Sequence, residues 1–244
     1  AAGKPTVFMQ RLVQQSLMKR VGGLPPTGVD FISMDGAANL PYDIPNVRIE
    51  YIESDPGIPY GFWRPVGASF NGFAVEAFID ELATTAGKDP YQFRRDLLSK
   101  APRHRAVLEL AAEKAGWSTP VPQGRGRGIA LMECFGSILA QVSEVSVDPS
   151  GAVRIHRIVC TVDCGWAINP DTIKAQMEGG IVYGVTAALK GEISIRNGRA
   201  EQRHFVNYHM RRTNEMPEIE VHIVPGGETP GGMGERSTAL AAGS

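Results

Sequence analysis

The sequence is poor in the residues that build metal sites and disulfides, with three cysteines and five histidines among 244 residues. The odd number of cysteines, Cys134, Cys160 and Cys164, gives no disulfide framework. Cys160 and Cys164 are four residues apart without a second pair of ligands, which disfavours a zinc site. We therefore predict that these two are buried thiols, on a strand and on the turn after it.

The sequence also lacks an excess of charge of one sign and a long apolar run. Its 25 basic and 26 acidic side chains produce no net field that would attract nucleic acid or an anionic membrane. The longest apolar stretch, about residues 179–189, is interrupted by glycines and is too short to cross a bilayer. Residues 1–4 contain neither a signal peptide nor an initiating methionine, so we expect the natural N-terminus to lie elsewhere. The compartment, periplasm or cytoplasm, stays open.

The first half of the chain predicts a small helical layer over residues 71–116. Apolar residues recur at helical spacing from Phe73 to Ala83, with Glu76, Asp80 and Glu81 on the other side of the helix. Asn71 is predicted as the N-cap of this helix, and Gly87 as its C-terminal stop. A second helix is expected after Asp89-Pro90, and a third over about residues 103–115, ending at Gly116. Before this layer, residues 47–52 alternate as a half-buried strand should, and residues 7–13 favour a strand or a short helix.

The second half, residues 126–235, predicts mainly strands. Alternating apolar residues lie on both sides of a turn at residues 148–151, which indicates an antiparallel hairpin. Asn169-Pro170 predicts the start of a helix, Asn197-Gly198 the turn of another hairpin, and residues 218–224 a further strand. Helices in one run and strands in another indicate an α+β fold with mixed or antiparallel sheets, rather than a doubly wound α/β sheet.

Three glycine-rich stretches, residues 133–137, 176–180 and 230–235, are the candidates for ligand-binding loops. Glycine permits the positive φ angles and close backbone approach that such loops need, but it is equally a turn residue. Glu235 follows Gly-Gly-Met-Gly, where a flexible backbone could aim a general base into a cleft. The alternative is a solvated loop glutamate. No Ser-His-Asp order, dinucleotide fingerprint or P-loop is present.

These stretches, taken with their neighbours, carry a resemblance to a known family. Residues 63–67 (WRPVG) and 73–83 (FAVEAFIDELA) resemble the run WRSVG…FAVESFIDELA of isoquinoline 1-oxidoreductase-type large subunits. Three further groups resemble other runs of that family in the same order: GRGIA…FGS at 126–137, VDCG…INP…QMEGG at 162–180, and NEMPEIEV…GGMGE at 214–235. Together they cover about residues 5–242 and are far more specific than one glycine loop. The chain is thus identified as a C-terminal, molybdopterin-binding region, spanning residues 1–244, of a bacterial large subunit in the xanthine oxidase (molybdo-hydroxylase) family.

The resemblance implies a molybdenum ion held by molybdopterin, in the cytosine dinucleotide form. Such enzymes hydroxylate a carbon beside a ring nitrogen, or oxidise an aldehyde, with water as the oxygen source. In the implied mechanism, a glutamate takes a proton from a molybdenum-bound hydroxyl, whose oxygen attacks the carbon while a hydride leaves for the sulfido ligand. This is general-base catalysis at a metal that has acidified its water-derived ligand.

The resemblance also implies roles for particular residues. Glu235 matches the catalytic glutamate, Gln176 matches a glutamine that lies against the cofactor, and Arg64 matches an arginine segment beside the molybdenum. No side chain of this chain is expected to bind the metal directly. The remaining implied contacts with the cofactor are Phe135, Gly136, Ser137 and Gly234.

The resemblance implies partners as well, and the sequence departs from the family in some respects. The expected partners are the rest of the large subunit or a second chain that supplies it, a small subunit with two [2Fe–2S] clusters, and in some members a cytochrome. The clustered cysteines of an iron–sulfur site are absent here, so the clusters are expected on the partner. Arg236 stands where the family usually has a proline, and the proline- and alanine-rich helix that normally follows the base is expected to be missing or to lie outside this sequence. A non-catalytic structural or assembly domain is the alternative, and the substrate stays open.

Overall fold

The structure, a computed structural model, describes residues 3–227, 229–235, 237–240 and 243–244, with the backbone alone at Ala239. Helices and strands alternate irregularly along the chain. The strands are β1 (Val7–Gln14), β2 (Asn46–Glu53), β3 (Arg125–Cys134), β4 (Ser137–Val147), β5 (Val153–Asp163), β6 (Ile195–Arg196), β7 (Arg199–Ala200) and β8 (Glu218–Ile223). The α-helices are α1 (Phe31–Met34), α2 (Gly67–Thr85), α3 (Pro90–Leu97), α4 (Pro102–Ala115), α5 (Pro170–Leu189) and α6 (Ser237–Leu240).

The central feature is a four-stranded mixed sheet in the order β3-β4-β5-β8. β3, β4 and β5 are antiparallel neighbours, whereas β8 joins β5 in parallel after the α5 crossover. The expected hairpin about residues 148–151 is confirmed as the β4–β5 connection. A two-stranded parallel sheet, β1-β2, and the short β6–β7 hairpin are separate from it. The predicted α+β class with mixed sheets is confirmed.

Both faces of the central sheet are covered, which explains why β4 and β5 are buried along most of their length. Alternate residues of β4 point to opposite faces: Ile138 joins the core under α4, and Leu139 joins the core under α5. The first core contains Leu108 of α4, and the second contains Met177 of α5. The sheet is therefore the middle layer between the helical layer and α5, the helix that contains the glycine stretch at residues 176–180.

The helical layer has the predicted boundaries except at its start. α3 begins after Asp89, whose carboxylate accepts from Gln92 N at 2.9 Å, and α4 ends at Gly116 in the left-handed conformation. α2, however, begins at Gly67, four residues before the predicted cap. A β-carbon at Gly67 would overlap the carbonyl oxygens at the end of α1, so the close approach of α1 fixes this start. The prediction of Asn71 as N-cap is wrong.

The interpretation of the faces of α2 is also corrected. Glu76, predicted with the polar side, is 1% exposed, whereas Phe73, predicted with the apolar side, is 50% exposed. Asn71, inside the helix, is buried and donates to the carbonyls of Ser33 and Asp35 at 2.9 and 2.8 Å. The inner face of α2 is thus partly polar. Its polar atoms can be buried because side chains and carbonyls from other elements form hydrogen bonds with them.

The three cysteines are buried, as predicted for Cys160 and Cys164. Burial raises the pKa of the Cys160 thiol to about 12, so it is inert at neutral pH. Within the described parts of the chain, no group of three or more histidine, cysteine or acidic side chains is arranged to hold a metal ion. The described helices include none that is long and apolar enough to cross a membrane.

Candidate functional site

The glycine stretch at residues 133–137 forms the turn between β3 and β4. Phe135 and Gly136 have φ angles of 49° and 78°, so both central residues of this two-residue hairpin turn are left-handed, as in a type I′ turn. The side chain of Phe135 is exposed and lines a 260 Å³ hollow with Phe31 and Val66. The tight turn leaves the Phe135 carbonyl and the Ser137 hydroxyl available to a neighbouring segment.

That neighbouring segment is the third glycine stretch, residues 230–235. Gly232 N donates to the Phe135 carbonyl at 3.1 Å, and Gly231 N donates to the Cys164 carbonyl at 2.9 Å. Ser137 Oγ donates to the Gly232 carbonyl at 3.2 Å. A β-carbon at Gly231 would lie 2.7 Å from the Gly136 carbonyl oxygen, so only glycine allows this approach. The structure thus brings two of the three stretches into direct contact.

The chain beyond Glu235 is anchored on the same hairpin. Gln141, fully buried in β4, donates through Nε2 to the Ser237 carbonyl at 3.0 Å. The hydroxyls of Ser143 and Ser244 are 2.6 Å apart. A buried glutamine in a strand of mainly apolar residues is unusual, and here it holds the backbone two residues after Glu235. Sequence analysis overlooked Gln141, because its position in a buried strand gave no functional signal.

The stretch at residues 176–180, considered as a candidate loop, is part of α5, the helix predicted to start at Asn169-Pro170. Its glycine serves close packing: a β-carbon at Gly180 would overlap the Ser237 hydroxyl and lie 3.1 Å from Arg64 Nη2. Arg64 Nη2 in turn donates to the Gln176 carbonyl at 3.3 Å and to its side-chain Oε1 at 3.4 Å. Gly180 therefore marks the point where the segment of Arg64, helix α5 and helix α6 meet.

Arg64 is held at this point by its neighbour. The Trp63 ring stacks on the Tyr183 ring of α5, with the ring centroids 5.1 Å apart. Since Tyr183 lies seven residues after Gln176 on the same helix, the two contacts fix residues 63 and 64 along about two turns of α5.

Several buried polar atoms on the segments that meet at Gly180 have no hydrogen-bond partner within the described residues. They are Arg64 Nε, Glu235 Oε2, Ser237 Oγ and Thr238 Oγ1. Each unsatisfied buried group costs about 1–3 kcal/mol, so a native structure rarely gathers several in one place without a ligand. A cation, a carboxylate and two hydroxyls on these two segments suit a polar, anionic ligand with hydrogen-bond donors of its own. Arg236, between two of these residues, lies outside the described part of the chain.

A cavity of about 230 Å³ lies beside Gln176. Its walls come from the turn after β5, the start of α5 and the residues before Glu235, and the largest apolar side chains in them are Trp166, Ile168 and Met233. Sequence analysis noted the motif that contains Ile168 but assigned no role to these three residues.

The turn into this cavity is fixed by Asp163, the last residue of β5. Burial disfavours the charge of Asp163, but hydrogen bonds from Arg103 Nε, at 2.8 Å, and Gly165 N, at 3.0 Å, hold the pKa of this carboxyl below its ordinary value. Asp163 is therefore ionised at neutral pH and holds the turn that leads to Trp166.

The structure thus gathers Arg64, Gln176 and the segment of Gly234 and Glu235 around α5. Ser137 joins them through the segment before Glu235, and Gly136 through its backbone. The Phe135 side chain faces a different hollow and contributes to the site only through its carbonyl.

Comparisons with known proteins agree on one family. A family profile described as "Molybdopterin cofactor-binding domain" matches residues 81–217. The chain is 32% identical to the beta chain of isoquinoline 1-oxidoreductase from Brevundimonas diminuta, over 80% of this chain and 25% of that protein. It is 30% identical to a component of nicotinate dehydrogenase from Pseudomonas putida, over 91% of this chain and 20% of that protein. It is also 30% identical to the membrane-bound aldehyde dehydrogenase (pyrroloquinoline-quinone) of Gluconacetobacter polyoxogenes, over 98% of this chain and 33% of that protein.

Solved structures share the fold. Quinoline 2-oxidoreductase from Pseudomonas putida 86 superposes with a TM-score of 0.76 at 12% identity, over 99% of this chain and 56% of that one. The aldehyde oxidoreductase from Desulfovibrio desulfuricans gives a TM-score of 0.73 at 14% identity, over 99% of this chain and 44% of that one. The chain spans between a fifth and a third of the length of the three curated relatives above.

Proposed function

The chain belongs to the molybdopterin cofactor-binding family, among the molybdo-hydroxylases of the xanthine oxidase type, and we propose that it forms one side of the active site of such an enzyme. The enzyme would oxidise an N-heterocycle or an aldehyde, with water as the source of oxygen. The observation that carries this proposal is the meeting of Arg64, Gln176 and the segment of Glu235 at Gly180, with buried polar atoms that lack protein partners among the described residues. Those atoms fit a large polar ligand such as molybdopterin.

Each residue has a role in this proposal. When bound, the molybdenum cofactor supplies the two-electron redox chemistry and acidifies a group derived from water. Glu235 would accept a proton at Oε2, which is buried and has no partner within the described residues. The Gln176 amide and the Arg64 guanidinium would bind and orient the cofactor, since they already hold each other in place.

The glycine turn has a positioning role in the same proposal. Phe135, Gly136 and Ser137 would support the cofactor from the side of the β3–β4 hairpin, while their contacts with residues 231–232 hold the segment of Gly234 and Glu235. The apolar walls Trp166, Ile168 and Met233 would exclude water beside Gln176. General-base catalysis needs such a carboxylate to be aimed and protected from bulk solvent.

The finer features of the proposal concern the form of the cofactor and the partners. We infer a cytosine dinucleotide form of molybdopterin, and electron transfer to [2Fe–2S] clusters on a small subunit, with a cytochrome as a further partner in some assemblies. The rest of the large subunit would complete the other side of the site. The name of one relative carries pyrroloquinoline quinone instead, but the matched family profile favours molybdopterin.

The central test replaces the proposed base in the assembled enzyme. Glu235→Gln keeps the size of the side chain but removes its basicity, so molybdenum content should stay at the wild-type level while turnover falls by about 100-fold or more. Metal analysis and steady-state kinetics with both an N-heterocycle and an aldehyde measure the two quantities. Glu218→Gln, on an exposed glutamate at the start of β8, is the matched control and should leave both unchanged.

Turnover of the Glu235→Gln enzyme within a few-fold of wild type would rule out this residue as the base. The alternative, a non-catalytic structural or assembly domain, predicts no molybdenum in the assembled protein at all. The retained Glu235 and the unpartnered polar atoms favour the enzyme. A gene for a [2Fe–2S] protein adjacent to the gene for this chain would support it further.

A further inference from the structure

A second cavity, of about 450 Å³, lies at the opposite end of α5 from the candidate site. It is enclosed by the start of β5, by Lys190 just after α5, and by residues 211–216. Lys190 is 14 residues beyond Gln176, which corresponds to about 21 Å along the helix. The cavity is therefore separate from the site around Gly180, and the inference drawn from it does not depend on the proposed function.

The charged side chains that line this cavity are mainly basic. Arg154, Lys190 and Arg211 contribute three positive charges, and Glu215 is its one acidic lining residue. Glu215 is already engaged, because it pairs with Lys190 Nζ and accepts from Arg212 N at 2.7 Å. These two contacts hold the pKa of Glu215 below its ordinary value. The cavity thus keeps an excess of positive charge from its two arginines.

Arg211 is the most informative of these residues. Its Nη2 donates to the Glu215 carbonyl, but its Nε is buried and has no hydrogen-bond partner within the described residues. A guanidinium presents its N–H groups as a planar fork that matches the oxygens of a phosphate or a carboxylate. A buried N–H of this kind without an acceptor is costly, so a ligand that supplies an acceptor would stabilise this part of the structure.

The neighbouring residues are consistent with an anionic ligand. Arg154 is exposed and, across the described residues, forms no ion pair with a carboxylate. Burial of the His156 ring, together with the positive charges of Arg125 and Arg154, holds the pKa of His156 below its ordinary value. His156 is therefore neutral near pH 7, and its ring nitrogen lies 2.7 Å from Ser146 Oγ. Arg154 thus adds a positive charge to this side of the cavity, which an anionic ligand would neutralise.

We propose that Arg154, Lys190 and Arg211 form a binding site for a small organic oxyanion, a phosphate ester or a carboxylate with a short apolar part. The apolar part would contact Ile155 and Met216, which line the same cavity. Arg211 Nε would donate to one oxygen of the anion, and Arg154 would close over it from the exposed side. Lys190 would supply a second charge while it keeps Glu215 in place.

The test is isothermal titration of the 244-residue chain with inorganic phosphate and, separately, with succinate, at constant ionic strength adjusted with chloride. We expect saturable binding of at least one of them, and the stronger of the two identifies the preferred oxyanion. Arg211→Gln should weaken that binding by about 10-fold or more, because one charge-assisted hydrogen bond contributes about 1.5–3 kcal/mol. Arg154→Gln, on an exposed residue, should weaken it too, so the test does not depend on the folding of a single variant.

Arg20→Gln removes the same charge from an exposed position outside the cavity and should bind like the wild type. The proposal fails if neither anion binds saturably. Any heat that remained would then come from ionic strength and not from a specific site for an oxyanion. It also fails if Arg211→Gln and Arg154→Gln bind as tightly as Arg20→Gln.

Discussion

At the scale of single residues, Gly180 decides how closely the candidate site can be assembled. Its missing side chain leaves the space that the Ser237 hydroxyl occupies, and Arg64 Nη2 approaches the same point. Gly180→Ala would force α5 and α6 apart or displace the Arg64 side chain. We expect the free energy of unfolding to fall by about 1–3 kcal/mol, the usual cost of overpacking a well-filled interior. Chemical denaturation of the 244-residue chain measures this.

Gly179 provides the control for this prediction, because it is the neighbouring residue of the same helix. It is exposed, and nothing lies within 4 Å of the β-carbon it would gain. Gly179→Ala should be neutral or should stabilise the helix by up to about 1 kcal/mol. Equal destabilisation by both substitutions would contradict the role given to Gly180, because the loss would then not depend on the space that the Ser237 hydroxyl occupies.

The same residue shows why the sequence could not predict the geometry of the site. The glycines within residues 176–180 favour a loop when they are considered locally, because glycine is a turn residue in most contexts. The actual use of Gly180 depends on Ser237 and Arg64, which lie 57 and 116 positions away in the sequence. The glycines before Glu235 made it a candidate base, but only the family resemblance favoured this role over a solvated loop glutamate. Gln176 was found only through that resemblance.

At the scale of elements, the buried carboxylate of Glu76 joins α2, α3 and β3. It accepts from Arg94 Nε at 2.9 Å, from the Tyr42 hydroxyl at 2.8 Å and from Leu131 N at 2.8 Å. Arg94 is itself fully buried and also pairs with Asp80. This one carboxylate of α2 therefore satisfies groups from a second helix, a strand and the segment before β2.

Removal of this carboxylate should destabilise the chain strongly. Glu76→Ala would leave the Arg94 charge, the Tyr42 hydroxyl and the Leu131 amide short of a partner in the interior. We expect a loss of about 3–5 kcal/mol in the free energy of unfolding, as for other buried pairs that lose one member. Urea denaturation measures this, and Glu81→Ala, on the exposed side of the same helix, should change the value by less than about 0.5 kcal/mol. A loss below about 1 kcal/mol at Glu76 would be inconsistent with this account.

The elements that the sequence predicted well are those with local end signals. Asp89-Pro90 and Asn169-Pro170 start α3 and α5 because an Asx side chain accepts from the backbone three residues on, a contact within one turn. The start of α2 was missed because α1 fixes it through close packing at Gly67, which no neighbouring residue reveals. Glu76 was expected on the polar side because charge usually faces water, and its partner Arg94 lies on another helix.

At the scale of the whole molecule, the candidate site opens onto a surface with exposed apolar side chains. Trp166 and Ile168, in the walls of the cavity beside Gln176, are 62% and 82% exposed, and Gln176 is exposed on the same helix that bears Gly180. Exposed apolar residues grouped about a polar site are typical of a surface that another part of a protein covers. This agrees with the proposal that the rest of the large subunit supplies the other side of the site.

An open site of this kind should hold its cofactor weakly on its own. When the 244-residue chain is produced alone in a host that makes molybdopterin, purified protein should contain far less than one molybdenum per chain. Mass-spectrometric metal analysis checks this, with the complete large subunit of the same enzyme as the control. Stoichiometric molybdenum in the isolated chain would show that the site needs no second side.

The anchors of the segment that carries Glu235 also have a consequence for the order of folding. Its hydrogen bonds to the β3–β4 hairpin join residues 95, 96 and 101 positions apart. Contacts that close such long loops form late, because the entropy of closure must be overcome first. At a synthesis rate of about 5–20 residues per second, the hairpin emerges about 5–20 s before the residues that dock on it. The segment of Glu235, the proposed base, is thus expected to dock after the hairpin has formed, and a cofactor that needs both would bind after this docking.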